Sequence, residues 1–232
     1  GVKKFIFSST AATYGEPTLQ GNKQTITEEF DTKPINPYGQ SKLMSEKVII
    51  DESKVNGDFK YVIFRYFNVA GADINYDENR LNPRIGQSFP NATHLIKIAS
   101  ECATNKREKM AIFGEDFPTA DGTGVRDYIY VDDLANAHVK AIDFLDNNPS
   151  DIFNAGYGKG YSVKEVIETM KKVTNTNFQV DITSRRIGDP AALISNNTKI
   201  KTKMNWIPKY DDLALICESA FEWKNKMIGE KK

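Results

Sequence analysis

The sequence predicts an α/β protein in which part of an open, doubly wound parallel sheet is joined to a smaller mixed α/β lobe. The apolar segments 5–8 and 60–68 are typical of buried strands, and a helical pattern lies between them. A strand, a helix and a strand in succession favour a right-handed crossover and a parallel sheet. From residue 73 to 91 the composition shifts to Asn, Asp, Pro and Gly, which indicates the link into the second lobe.

The composition is balanced and favours a globular protein with small-molecule partners. Thirty-one basic residues offset thirty-one acidic ones, so nothing indicates a broad surface for nucleic acid or for a membrane. Cys102 and Cys217 have neither metal-ligand nor disulfide spacing, so no metal site is predicted. Both are expected to be small buried residues of a protein in the reducing cytoplasm.

A phenol and an ammonium lie four residues apart in the segment Asn36–Lys42 (NPYGQSK). Asn36 is a good helix N-cap and Pro37 suits the first helical position, so Tyr38 and Lys42 are expected on one helix face. A free tyrosine has a pKa of about 10 and needs a nearby positive charge to act as a base near neutral pH. Lys42 can supply that charge. An isolated Tyr-x-x-x-Lys pair is more often an aromatic anchor beside a solvated lysine. Whether Tyr38 is a catalytic base therefore depends on the motifs around it.

Polar residues follow both predicted strands at the edge where parallel sheets bind ligands. The hydroxyl-rich segment 8–15 (SSTAATYG) follows the first strand, and Asn68 follows the second. Between them, a helix is expected from Pro37 to about Lys54. Its apolar stripe is predicted to consist of Leu43, Met44, Val48 and Ile50.

The second lobe is predicted to alternate helices and strands. The expected helices lie at 94–105, 134–145, 162–174, 199–205 and 211–227, and the expected strands at 111–114 and 178–183. Asp132 or Asp133 is expected to cap the second of these helices, in which His138 is expected to be a structural histidine of the inner face. Ser162 and Glu165 form a capping-box pattern.

A basic loop in the second lobe suits a diphosphate. Arg185 and Arg186 lie beside Asp189, and a planar guanidinium binds phosphate oxygens in a bidentate manner. A surface salt bridge is the alternative. The segment Gly122-Thr123-Gly124 is only weak evidence for phosphate binding, because it lacks the spacing of either glycine fingerprint.

Four motifs in this order carry a family resemblance: the hydroxyl loop, the Tyr38/Lys42 pair, Arg-Tyr-Phe-Asn at 65–68, and the segment 122–131 (GTGVRDYIYV). Together they make the chain similar to the UDP-glucose 4-epimerase (UDP-galactose 4-epimerase) family of extended short-chain dehydrogenases/reductases. The resemblance implies a Rossmann-type sheet, NAD as cofactor, and reversible interconversion of UDP-glucose and UDP-galactose. It implies that residues 1–69 are the remaining part of the NAD-binding domain, with 128–147 packing back onto it. Residues 70–232 would form the UDP-sugar-binding lobe.

The resemblance assigns a role to each matching position. Tyr38 would be the catalytic acid and base, Lys42 would lower its pKa and bind the nicotinamide ribose, and Thr10 would bridge the sugar 4-hydroxyl and the tyrosine. The other implied cofactor contacts are Ser8, Ser9, Tyr66 and Phe67. The other implied substrate contacts are Asn68, His94, Leu95, Ala111, Phe113, Arg126, Arg186, Asp189 and Leu193.

The chain departs from the family pattern at one point, and two related enzyme families offer other interpretations of its function. The sequence has no Gly-x-x-Gly-x-x-Gly motif for the NAD pyrophosphate, so the resemblance implies that a first strand, glycine turn and helix precede this chain. The chain as given would then be an inactive fragment or a UDP-sugar-binding module. Sugar-nucleotide 4,6-dehydratases carry an Asp-Glu pair after the loop threonine, where this chain has Ala11 and Ala12, and decarboxylases need an acidic group that the loop also lacks.

The resemblance also bears on substrate breadth and on assembly. In the family that the chain resembles, Leu193 takes a position where a large tyrosine is associated with plain hexoses and a smaller residue with N-acetyl sugars as well. Leucine is intermediate in size, so interconversion of UDP-GlcNAc and UDP-GalNAc is a further alternative. The resemblance also implies a homodimer formed through a helix pair that includes the Tyr38 helix.

Overall fold

A computed structural model describes residues 1–17, 25–78, 80–91 and 93–229. The strands are β1 (Lys4–Thr10), β2 (Lys60–Tyr66), β3 (Asn68–Ala70), β4 (Tyr76–Asp77), β5 (Arg80–Leu81), β6 (Lys109–Phe113), β7 (Val125–Arg126), β8 (Tyr128–Tyr130), β9 (Asp151–Ala155), β10 (Tyr161–Ser162), β11 (Gln179–Thr183) and β12 (Ala192–Leu193). The helices are α1 (Pro37–Val55), α2 (Leu95–Ala103), α3 (Val131–Asn147), α4 (Val163–Thr174), α5 (Thr198–Met204) and α6 (Leu213–Gly229), and a 3₁₀ turn covers Ala11–Tyr14.

The main sheet has the order β1-β2-β9, and both pairings are parallel. Successive side chains of β2 point to opposite faces. Arg65 meets α1 through Glu46, while Tyr66 meets α3 through His138, so the two helices cover opposite faces of the sheet. Helix α3 contacts β1 and β2 of this sheet.

One part of the predicted domain division is wrong. Residues 151–155 fall within the range 70–232 that was assigned to the second lobe, but they form β9 of the main sheet. The chain crosses the sheet in α3, and the next apolar residues, Ile152 and Phe153, then pair in parallel with β2. This long-range pairing has no local signal in the sequence.

The first strand is less buried than its apolar pattern predicts. Phe5 is 38% exposed, and burial begins only at Ser9 and Thr10. Within the part of the chain that the structure describes, β1 pairs with β2 alone, so its other edge gives no cover to the first residues.

The chain passes from the main sheet to the second lobe at Phe67. The Phe67 N–H donates to Ala155 O (3.0 Å), and the Asn68 N–H donates to Asp127 O (2.8 Å). The predicted strand 60–68 is therefore divided into β2 and β3, and β3 pairs with β8. Elsewhere in the lobe β7 lies between β10 and β12, β6 pairs with β11, and α2, α4 and α6 pack together.

The helix caps predicted from the sequence are confirmed for α1 and α4 but not for α3. Asn36 caps α1, since its side chain accepts the Gly39 N–H (2.8 Å), and the Ser162/Glu165 capping box is present; both predictions are confirmed. The prediction that Asp132 or Asp133 caps α3 is wrong. Tyr130 is the N-cap residue of α3 and makes no side-chain cap bond.

The two aspartates instead join distant backbone segments. The Asp132 carboxylate accepts the N–H of Ile74. The Asp133 carboxylate accepts the N–H groups of Lys209 and Tyr210. Cys102 and Cys217 are buried and unpaired, as predicted.

No helix among the described residues has both the length and the apolar character needed to cross a membrane. Over the same residues, no cluster of His, Cys, Asp and Glu side chains is placed to hold a metal ion.

Candidate active site

Tyr38 and Lys42 lie at the start of α1, beside the carboxyl half of β1. Tyr38 is 57% exposed, and among the described residues its hydroxyl has no hydrogen-bond partner. The Lys42 ammonium donates to Ser8 O (2.8 Å) and lies 5.0 Å from the centre of the Phe7 ring. Lys42 therefore ties the first turns of α1 to the edge of the sheet, while the phenol stays open to an incoming group.

Thr10 lies next to the same helix start. Its hydroxyl oxygen accepts the Ala12 N–H (3.2 Å) and caps the 3₁₀ turn. A Cβ atom on Gly39 would lie only 2.4 Å from Ala12 O, so the lack of a side chain at Gly39 lets α1 approach this turn closely. The Thr10 loop and Tyr38 are thereby held side by side.

A buried charge pair behind this region was not predicted. Arg65 donates to both carboxylate oxygens of Glu46 (3.1 and 2.7 Å), and Ser9 donates to one of them (2.5 Å). Burial alone would lower the pKa of Arg65, but the hydrogen bond and charge of Glu46 raise it above its ordinary value. The signal in the sequence was a charge at a core position: Arg65 follows three apolar residues of β2, and Glu46 shares the inner face of α1 with Leu43.

The predicted cofactor residues Ser8 and Tyr66 touch each other. The Tyr66 hydroxyl lies 2.8 Å from Ser8 Oγ and 2.6 Å from His138 Nε2. The other ring nitrogen, Nδ1, lies 2.8 Å from Leu134 O. Burial raises the pKa of Tyr66, so the phenol stays neutral. His138 is hydrogen-bonded at both nitrogens, which confirms it as a structural histidine.

Three of the residues predicted to bind cofactor or substrate lie on the side that faces the second lobe: Phe67, Asn68 and Leu193. Phe67 and Leu193 belong to one small buried apolar cluster, together with Ala11 of the hydroxyl loop. Asn68, next in the chain, is exposed and lines a cavity that also contacts His94 and Leu95 at the start of α2. His94 Nδ1 lies 2.5 Å from Gln87 Nε2.

The basic loop of the second lobe is tied to β7. The Arg126 side chain pairs with the Asp189 carboxylate and donates to Pro190 O (2.7 Å) and Val125 O (2.7 Å). The Arg186 guanidinium is exposed and lies 3.6 Å from the centre of the Phe113 ring. Thus Arg126 orders the loop, and Arg186 extends from it.

This loop also reaches the start of α1. Gly188 has a φ of +76°, a conformation that glycine adopts without strain, and a Cβ there would lie 3.3 Å from Ile35 O. Ala111 is two residues before Phe113 in β6, so both face the same side. The structure therefore places the predicted anchoring residues in one loop and strand region, and that region contacts the α1 end beside Tyr38.

Comparison with known proteins gives a match over the first two thirds of the chain. Residues 1–156 match the NAD dependent epimerase/dehydratase family. The chain belongs to this family. The family's description calls its members NAD dependent. The α/β fold with a parallel sheet agrees with that of solved members.

Individual members of the family are similar over almost the whole chain. The UDP-glucose 4-epimerase of Halalkalibacterium halodurans is 47% identical over 223 residues, covering 96% of this chain and 63% of that protein. The UDP-Glc/GlcNAc 4-epimerase structure from Campylobacter jejuni is 55% identical, with a TM-score of 0.76 over 97% of this chain and 65% of that one. The Bifidobacterium longum UDP-glucose 4-epimerase, in complex with NAD+ and UDP, is 36% identical, with a TM-score of 0.84 over 97% of this chain and 64% of that one. The chain thus spans less than two thirds of the length of these relatives.

The described residues fit one end of the family's cofactor. Ser8, Tyr38, Lys42 and Tyr66 place three hydroxyl groups and an ammonium at the carboxyl edge of β1 and β2, which suits the hydroxyl groups of a ribose and the carboxamide of a nicotinamide. The 232 residues contain no glycine motif for a pyrophosphate. The fit therefore concerns the nicotinamide end.

Proposed function

We propose that the protein containing this chain interconverts UDP-glucose and UDP-galactose, with NAD, in galactose metabolism and nucleotide-sugar supply. One observation carries the proposal: the open Tyr38 phenol and the Lys42 ammonium share the sheet edge with Thr10, and the Arg186 loop abuts the same helix start. A reacting group and an anion anchor are then close enough for one sugar nucleotide to reach both. The similarity to solved UDP-glucose 4-epimerases supports this substrate.

The reacting end works through proton transfer at the phenol oxygen. Tyr38 takes the proton of the sugar 4-hydroxyl and later returns it. The Lys42 ammonium, held at the sheet edge by Ser8 O, would bind the ribose next to the nicotinamide, and Thr10 orients the hydroxyl. The chemistry that NAD supplies when bound is reversible acceptance of a hydride from C4. Tyr66 and Ser8, fixed by His138, provide the polar wall of the nicotinamide side.

The anchoring end holds UDP while the oxidised sugar turns over. Arg186 and Arg126 face the diphosphate, and the pairing of Asp189 with Arg126 keeps the Arg186 loop in place. Phe113 and Ala111 form the flat surface for the base, and Asn68, His94 and Leu95 line the path between the diphosphate and the sugar. Binding remote from the reacting carbon orients the substrate throughout the reaction.

One residue, Leu193, favours a second pair of substrates, UDP-GlcNAc and UDP-GalNAc. Leu193 is buried in the cluster with Phe67 and Ala11, and leucine leaves more room than tyrosine at this position. The similar protein from Campylobacter jejuni is described as a UDP-Glc/GlcNAc 4-epimerase. We therefore propose that N-acetylated UDP-sugars are accepted as well.

The test is a conversion assay paired with a cofactor assay. The purified chain is denatured and the supernatant is assayed for NAD, and the native chain is incubated with NAD and either UDP-galactose or UDP-GalNAc. Formation of the C4 epimer of both substrates supports the proposal. If the chain binds UDP but holds no NAD and shows no turnover, its role is to bind a sugar nucleotide. The conversion assay would then be repeated on the protein that contains this chain.

The outer face of α1 supports the expected homodimer. Met44 and Val48, predicted to face inward, are 58% and 69% exposed, because the inner face of α1 is formed by Gly39, Leu43 and Glu46. We propose that this apolar face pairs with a second copy. Val48→Lys should shift the sedimentation coefficient from dimer to monomer, whereas Lys47→Arg, on the same exposed side, should not; a monomeric wild-type chain would contradict this.

A further inference from the structure

A cation-rich cluster is buried between α2 and α6, away from the proposed reacting groups. Lys97 and Lys224 donate to the same oxygen of Glu101 (2.7 and 3.0 Å), and Arg107 pairs with the other oxygen (3.2 Å). The side chains of Lys97, Glu101 and Lys224 are all at least nine-tenths buried. Although burial would raise it, the hydrogen bonds from the two lysines lower the pKa of Glu101 to about 2. One carboxylate therefore faces three cations.

The cluster has hydrogen-bond donors to spare. An ammonium has three N–H donors, and among the described residues each of the two lysines uses one, on Glu101. Trp223, next to Lys224 on α6, has a buried Nε1–H without a partner in the same part of the chain. Burying uncompensated ammonium groups and unmade hydrogen bonds is costly.

The three residues that carry these donors also line a cavity. Lys97, Trp223 and Lys224 line a space of about 40 Å³ between α2, α6 and the segment after β2. A space of about 10–15 Å³ already holds one water, so this cavity takes a compact ion but not a nucleotide. The Glu101 carboxylate is already shared by three cations.

We propose that this cavity is a binding site for a compact inorganic anion, such as chloride or phosphate. The anion accepts hydrogen bonds from Lys97, Lys224 and Trp223 Nε1 and offsets the excess positive charge. It holds α2 against α6. Because His94 and Leu95 begin α2, the anion also fixes the helix that contacts the same cavity as Asn68. The cavity is shared with Asn68, His94 and Leu95 of the proposed sugar-nucleotide site, but the proposal of an inorganic anion does not depend on that function.

The two tryptophans of the chain provide an internally controlled test. Trp206 Nε1 donates to Asp133 O (3.0 Å) in the core, whereas the Trp223 side chain lines the cavity. In ¹⁵N-labelled chain, titration with sodium chloride or sodium phosphate should move the Trp223 indole signal saturably and leave the Trp206 signal in place. Lys224→Met should raise the anion dissociation constant at least tenfold, while Lys106→Met, which removes an exposed lysine, should not change it.

Three results would overturn the proposal. The Trp223 signal does not respond to either anion, or it responds equally in wild type and Lys224→Met, or it responds to UDP but to neither inorganic anion. The last result would assign the cavity to the sugar-nucleotide site. If Lys224→Met fails to fold, the wild-type titration with Trp206 as reference decides the outcome by itself.

Discussion

The reacting and anchoring ends of the proposed site differ in how far their polar groups are already paired. At the reacting end, the Tyr38 hydroxyl has no partner among the described residues, and Lys42 makes one hydrogen bond, to Ser8 O. At the anchoring end, Arg126 is held by the Asp189 carboxylate and by neighbouring carbonyl groups. Arg126 is therefore fixed by the fold itself, whereas the Tyr38 hydroxyl at the reacting end is unpaired among the described residues.

This difference implies that binding and turnover depend on different residues. A preformed anchor costs little reorganisation when a ligand binds. An unpaired phenol beside an ammonium contributes mainly when a proton moves. Substitutions at the two ends should therefore separate UDP affinity from the rate of conversion.

Loss of the phenol should have the largest effect. Tyr38→Phe removes the proton acceptor, so turnover should fall by about 10²- to 10⁴-fold, while the UDP dissociation constant stays within about twofold. Tyr76→Phe is the matched control, because Tyr76 is 56% exposed and Tyr38 is 57% exposed. Turnover of UDP-galactose and UDP binding by calorimetry are measured for both variants. Equal losses in the two variants would remove Tyr38 from the reacting end.

Loss of the buried Arg65–Glu46 ion pair, which lies behind the reacting end, should have the next largest effect. Glu46→Gln leaves the buried Arg65 guanidinium without its carboxylate, so the free energy of unfolding should fall by about 3–5 kcal/mol. Glu52→Gln changes an exposed residue of the same helix and should cost less than about 0.5 kcal/mol. Urea unfolding measures both. A loss below about 1 kcal/mol in Glu46→Gln would show that this pair does not support the sheet edge.

At the anchoring end, the exposed arginine should affect affinity alone. Arg186→Met removes a charge-assisted hydrogen bond to the diphosphate, so the UDP dissociation constant should rise about 10- to 100-fold. The stability of the chain should not change. Arg185 is the neighbouring control, because its guanidinium lies 3.8 Å from the centre of the Phe117 ring instead. If Arg185→Met weakens UDP binding as much as Arg186→Met does, the assignment of the anchor is wrong.

The smallest predicted effect concerns substrate choice between the two ends. Leu193→Tyr should lower kcat/KM for UDP-GalNAc relative to UDP-galactose by about tenfold, as expected for crowding in an apolar pocket. Leu193→Met keeps the volume and should leave the ratio unchanged. Both ratios come from the same conversion assay. An unchanged ratio in Leu193→Tyr would mean that the residue does not face the sugar.

Sequence reasoning mostly succeeded where the cause is local and failed where it is not, although the local cap signal at Asp132 and Asp133 was wrong. The start of α1 was predictable because Asn36 and Pro37 act on their own turn. The inner face of that helix was predicted wrongly at Met44 and Val48, because two neighbouring faces are apolar. Contact of Gly39 with Ala12 decides which face turns inward.

The same distinction applies to the candidate site. Residue types alone indicated the phenol, the ammonium and the arginine loop. They could not reveal that Arg65 pairs with Glu46, that β9 joins β2, or that Arg126 is held by Asp189. These contacts join residues far apart in the chain, so their pairing becomes visible only in three dimensions.

Isotopic labelling at C4 of the substrate tests the central claim most directly. UDP-galactose carrying deuterium at C4 is converted in ordinary water by the protein containing this chain, supplied with NAD, and the UDP-glucose formed is examined by NMR. Transient oxidation at C4, with Tyr38 handling only the hydroxyl proton, predicts that the deuterium remains at C4 of the product. Replacement of that deuterium by solvent hydrogen would show that C4 is deprotonated instead, and would contradict the account.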